Sequence, residues 1–162
     1  MFGSLKTLIS NLGEDARLPS PFENQKRRLA TAALLIRIAT VAGEMSKARL
    51  GKLHGVLKSA FDLDDLTAAL LIDDAAAADR SATDLYHFTR QLNAVLDDEG
   101  RREIVRMMWR IILVDGRANE FENNIVWRAA DLLAVPSRQR IELRKQIAAE
   151  GAYRAGCPPT NR

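Results

Sequence analysis

A chain of 162 residues with 47% hydrophobic side chains is about one domain long and carries enough apolar material for its own core. Its 24 Lys and Arg against 21 Asp and Glu leave a net charge of +3 spread along the chain, so no basic cluster argues for nucleic acid. A single cysteine, Cys157, excludes an internal disulfide, and no apolar run approaches the roughly 20 residues that span a bilayer.

Only five prolines and nine glycines, set against abundant Ala, Leu, Ile and Arg, favour helices, and the expected class is all-α with about seven of them. The first segment, FGSLKTLISNL, puts Phe2, Leu5, Leu8, Ile9 and Leu12 at helical spacing, and a polar, proline-containing linker follows up to residue 24. Lys6 is the only charge on this helix. A membrane-surface anchor usually carries several cations, so packing on the parent domain or on a second copy in a homodimer is preferred over peripheral membrane contact through residues 2–12. The start of the chain lacks a basic stretch and a cleavage site, which favours the cytoplasm.

A helical domain is expected over residues 25–150. Leu29, Ala32, Ala33, Ile36 and Ala39 form one apolar stripe, and Leu50, Leu53, Leu57, Ala60 and Phe61 form the next beyond the corner AGEMS. DLDDLTAALLIDDAAAAD reads as an Ala-rich third helix. In the fourth, SATDLYHFTRQLNAVL, Ser81 and Asp84 have capping-box spacing and Leu85, Phe88, Leu92, Val95 and Leu96 form the buried face. DEGRREIVRMMWRIILV, NEFENNIVWRAADLLA and SRQRIELRKQIAAE supply the fifth, sixth and seventh, and residues 151–162 form a flexible tail. Sliding the chain by 73 residues lays LIRIATVAGEMSKAR (35–49) over MWRIILVDGRANEFE (108–122), which predicts two related helical hairpins packed around one core.

The corner LVDGRANEFENN contains the one constellation with metal chemistry. Asp115, Gly116 and Glu122 match the fifth, sixth and twelfth positions of a calcium loop, but its first and third ligand positions fall on Ile111 and Leu113. Asp115, Glu122 and Asn119 therefore offer at most a weak, hydrated Ca²⁺ or Mg²⁺ site. The competing reading needs no ion: Gly116 ends one helix in the left-handed conformation, Asn119 caps the next, and Glu122 completes a capping box. In the first copy Ser46 retains the cap, while Ala42 and Arg49 replace the acids.

Elsewhere the chemistry is sparse. His54 and His87 lack partners at metal-ligand spacing, Cys157 lacks an oriented base, and Tyr86, Phe88, Trp109 and Trp127 sit at core spacing, with at least one tryptophan expected to be buried. RRLATAALLIR and GRREIVRMMWR read as solvated basic faces. No catalytic pair or nucleotide loop is present, so no enzyme is expected.

ATDLYHFTRQLNAVLDDE, the helix ending MMWRIILVDG, and NEFENNIVWRAADLLAVP together resemble the TerB-like tellurite-resistance family, in its small proteobacterial branch, over about residues 26 to 147. The resemblance implies an all-helical fold with a pseudo-twofold repeat and an acidic pair in each half proposed as a metal site. It carries over Asp115 and Glu122 only, and Asn119 stands where the family usually has aspartate. It further implies a link to metal stress and to membrane-associated complexes, with peripheral contact at the inner membrane, and protein partners rather than a reaction. The preferred reading is a non-enzymatic interaction module; the alternative is a weak divalent-cation binder or sensor using the Asp115/Glu122 corner.

Overall fold

The computed structural model describes residues 21–154, and all regular structure within them is helical, with no strand among the described residues. Seven α-helices run α1 Pro21–Ala39, α2 Lys47–Phe61, α3 Asp65–Ser81, α4 Tyr86–Val95, α5 Asp98–Ile112, α6 Glu120–Leu132 and α7 Ser137–Arg154; a 3₁₀ turn, Leu113–Asp115, extends α5. The expected helix at residues 2–12 lies outside the described residues, as does the expected tail from residue 155 on, while residues 151–154, read as the start of that tail, continue α7. Helix α1 begins inside the stretch read as linker, with Pro21 in the first turn, where its missing N–H costs no hydrogen bond.

Helix α1 is the shaft of the molecule. The periodicity predicted one apolar stripe, but residues 30–36 together with Ile38 and Ala39 are all buried, Leu34, Leu35 and Ile38 completely. The alanines at 30, 32 and 33 let neighbouring helices approach closely, and α1 packs mainly against α3 and α4 and also against α5. A helix apolar on every side has nowhere to sit but the centre. Its one charged residue in this stretch, Arg37, reaches the end of α3: Nε lies 2.6 Å from Asp79 Oδ1, and Nη2 donates to the carbonyls of Asp79 and Ala82 at 2.9 and 2.8 Å. It thereby supplies the Ala82 carbonyl with a donor and the Asp79 carbonyl with a second one beside the Ala82 N–H.

Several local expectations differ from the structure. Ser81 closes α3 and donates to the Ala77 carbonyl, so no Ser81–Asp84 capping box forms; the Asp84 carboxylate instead accepts from the His87 N–H at 3.2 Å and starts the first turn of α4 three residues later. Leu50, Ala60, Val95 and Tyr86 face outward, while Leu53, Leu57, Phe88 and Leu92 are buried as expected. Trp109 is buried, whereas Trp127 is 42% exposed and lies beneath the Arg140 guanidinium, 4.9 Å from ring centroid to Cζ.

The corner between α6 and α7 also departs from a simple sequence signal. The Val135 N–H donates to the Ala130 carbonyl and the Ala134 N–H to that of Asp131, the two bonds of a Schellman ending, with Ala134 at φ 58° where glycine is usual. Arg140 then fastens the turn through the Val135 carbonyl and the Asp131 carboxylate.

Candidate functional site

The two corners 73 residues apart share their local devices. At the first, the Gly43 N–H returns to the Thr40 carbonyl, Gly43 has φ 131°, and Ser46 caps α2 by accepting from the Arg49 N–H at 3.1 Å. At the second, the Gly116 N–H returns to the Leu113 carbonyl, Gly116 has φ 93°, and Asn119 caps α6 by accepting from the Glu122 N–H at 2.8 Å. Glu122 Oε2 in turn accepts from the Asn119 N–H at 3.0 Å, completing the capping box predicted from the sequence.

The difference between the corners lies at the third residue of each helix. Glu122 can return to its own cap; Arg49, a donor only, cannot. Its side chain crosses to the other corner instead. Arg49 Nη2 forms an ion pair with Glu122 Oε1 at 2.6 Å, and Nε stands 3.3 Å from Asp115 Oδ2 without the alignment of a hydrogen bond. Nη1 donates to the Ala39 carbonyl at 3.3 Å and Nη2 to that of Ile112 at 3.4 Å, the last residues of α1 and α5. Ser46 Oγ completes the cluster by donating to Asp115 Oδ2 at 3.2 Å.

Each part of this arrangement has a physical cause. The C-terminal ends of α1 and α5 present partial negative charge, which favours a cation between them, and the N-terminus of α6 favours the carboxylate of Glu122. The Glu122 side chain is 4% exposed and that of Arg49 10%, so the pair is held in a medium that screens it little; Asp115, with its side chain 43% exposed, closes the outer side.

A divalent ion does not fit this donor set as it stands. Both oxygens of Glu122 are engaged, the Asp115 oxygen facing inward is shared by Arg49 and Ser46, and a dication about 4 Å from the guanidinium would meet repulsion on the order of 8 kcal/mol at an effective dielectric of 20. No group of three or more His, Cys, Asp or Glu side chains is arranged for a metal among the described residues. Of the remaining polar candidates, His54 Nε2 lies 3.1 Å from the Asp65 carbonyl and His87 Nε2 lies 3.2 Å from Gln91 Nε2, far apart on separate helices. Cys157 is outside the described residues. The arginines of α5 are not a free basic rim: Arg102, Arg106 and Arg110 pair with Glu99, Glu103 and Glu150.

A second feature, missed by periodicity, lies on the surface just outside the corners. Phe121, 71% exposed, and Tyr86, 56% exposed, flank a groove of about 460 Å³ floored by Leu85, Ile125 and Leu132, with Val41 at one end and Asp84 and Arg128 on its rim. The sequence placed Tyr86 at core spacing; it belongs to the α4 face turned to solvent. Phe121 sits in the first turn of α6, where the capping box aims Glu122 inward and so turns its neighbour out.

No helix among the described residues is long and apolar enough to cross a membrane. A family model described as tellurite resistance protein TerB matches residues 28–145. No curated protein and no solved structure matches the chain.

Proposed function

The chain belongs to the TerB tellurite-resistance family, and we propose that within it this protein serves as a non-enzymatic helical interaction module, acting in a metal-stress response by docking a segment of another protein. The observation that carries this reading is the groove between α4 and α6, where two large aromatic side chains stand in solvent beside an apolar floor. Exposed aromatics gathered at one recess are the composition of a docking site, while aromatics scattered singly are ordinary surface. Arg128 makes no ion pair among the described residues and stands on the rim, so the occupant this surface suits is an amphipathic helix that presents aliphatic side chains at i and i+4 and a carboxylate to Arg128. The TerB family is not a known family of enzymes, and neither histidine ring is hydrogen-bonded to a nucleophile or a carboxylate among the described residues: His54 Nε2 lies against the Asp65 carbonyl and His87 Nε2 against the Gln91 amide. Attachment to a membrane-associated complex belongs to the same proposal.

The test is photo-cross-linking in cells of origin from benzoylphenylalanine installed at Phe121. The expected result is an adduct with another protein through an acidic, amphipathic peptide, and a synthetic copy of that peptide should bind the wild-type chain while losing affinity for Arg128→Glu and Phe121→Asp. Adducts only with a second copy of this chain, or a peptide whose binding ignores both substitutions, would overturn the reading.

A further inference from the structure

Four oxygens, from the end of α1, the end of α5 with its 3₁₀ extension and the start of α6, converge on the Arg49 guanidinium: Glu122 Oε1, Asp115 Oδ2 and the carbonyls of Ala39 and Ile112. Ser46 Oγ stands beside them. Two carboxylates, two carbonyls and a hydroxyl are the donor types that collect around a hard divalent cation, and Asp115 and Glu122 occupy calcium-loop positions in the sequence. The position that a cation would take is filled by a side chain.

We infer that Arg49 is a resident cation, built into the chain in place of a divalent ion, and that the joint between the two corners is consequently closed whether metal is present or not. Three observations converge. Arg49 stands at the third position of α2, 73 residues before Glu122, so the residue that would have mirrored the acid supplies the opposite charge. Its side chain is almost wholly buried, and the two carbonyls that accept from it lie at the C-terminal ends of α1 and α5, whose polarity favours a cation. The guanidinium also spreads its donors over α1, α5 and α6 and sets its charge beside Asp115, much as an ion would spread its coordination, and unlike an ion it cannot dissociate. A chain built this way keeps the geometry of its corners, and with it the neighbouring groove, insensitive to divalent metals. Its place in a metal-stress family is then as a constitutive member rather than a sensor.

The inference is tested with Mn²⁺ as the probe, its binding read by the loss of the free-ion electron paramagnetic resonance signal and its effect on folding by thermal circular dichroism. Wild-type protein should take up no Mn²⁺ and melt at the same temperature in Mn²⁺ and in EDTA. Arg49→Ala, which vacates the oxygen-lined space, should melt lower in EDTA, recover with Mn²⁺ and bind the ion, and adding Asp115→Asn should abolish both the binding and the recovery. Should Arg49→Ala fail to fold in EDTA, Arg49→Gln, which fills part of the volume without the charge, decides the matter by the same two readouts. Mn²⁺ uptake by wild type as tight as that of the variants would overturn the inference. So would folded Arg49→Ala and Arg49→Gln proteins that neither bind Mn²⁺ nor melt higher in it.

Discussion

Replacing Glu122 by glutamine isolates the charge at the centre of the corner. Glutamine keeps the length of the side chain and an oxygen that can still accept from the Asn119 N–H, so the capping box survives in shape. What disappears is the negative partner 2.6 Å from Arg49 Nη2, leaving a guanidinium whose side chain is 10% exposed with the Ala39 and Ile112 carbonyls and a single carboxylate, Asp115, at 3.3 Å and poorly aligned. Removing one member of a buried pair costs about 3–5 kcal/mol, because the remaining charge has lost water and now also its close ionic partner. For a domain of this size each kcal/mol moves the midpoint by about 2–4 °C, so Glu122→Gln should melt roughly 6–20 °C below wild type. Thermal circular dichroism at neutral pH and urea titration both measure it, the second with an unchanged slope. A double-mutant cycle with Arg49→Met separates the pair from the individual residues: the double variant should be less destabilised than the sum of the two single ones. If Glu122→Gln stays within about 0.5 kcal/mol of wild type, the range of ordinary surface substitutions, the carboxylate is not holding the guanidinium and the account of the corner is wrong.

The two tryptophans should divide: Trp109→Ala, in the core, should cost about 3–5 kcal/mol, while Trp127→Ala should lose little beyond the Arg140 cation–π contact, about 0.5–1 kcal/mol, and equal urea midpoints for the two variants would contradict the burial described. Ala134→Gly should stabilise by about 1 kcal/mol, because the left-handed φ of 58° strains an alanine and suits a glycine; a lower denaturation midpoint would show the Schellman ending misassigned. Hydrogen bonds from Arg106 and then Arg102 hold the exposed Glu99 carboxyl below its ordinary value of 4.5. A depressed carboxyl contributes stability above its unfolded value and loses it as pH falls through the folded one. The small advantage of wild type over Glu99→Gln should therefore be present at neutral pH and vanish in acid below 4.5, and a melting difference independent of pH would refute the pairing.

Much of the fold was legible because its signals are local. Asn119 and Glu122 are three residues apart, the spacing a capping box requires, and Gly116 marks the left-handed residue between two apolar stripes, so the second corner could be drawn from sequence down to its hydrogen bonds. The cation at its centre could not. In the sequence Arg49 is only a basic residue in the first turn of α2, a poor position for positive charge beside the helix dipole, and it takes the folded chain to bring the carbonyls ending α1 and α5 and the carboxylates of Asp115 and Glu122 around it. Misplaced faces have the same origin. Periodicity identifies an apolar stripe but not its width, so it marks one face of α1 where the helix is enclosed, and it assigns Tyr86 and Val95 to the core although both are exposed. Ala134 hides its turn because the usual glycine is missing, and only Pro136 behind it hints at a helix end.

The enclosure of α1 has a consequence for synthesis. The chain is made from its N-terminal side, so α1 is complete at Ala39 while the helices that cover it most closely end only at Ser81 and Val95. At ~5–20 residues per second the ribosome needs about 3–11 s to add those roughly 55 residues. Until α3 and then α4 are complete, a nearly unbroken run of apolar residues lacks the helices that cover it most closely, and it is too rich in alanine and leucine to be hidden by turning one face away. The helix that organises the finished protein is thus the segment on which nascent chains are most exposed to aggregation, and the one for which a chaperone would have to stand in until α3 and α4 arrive.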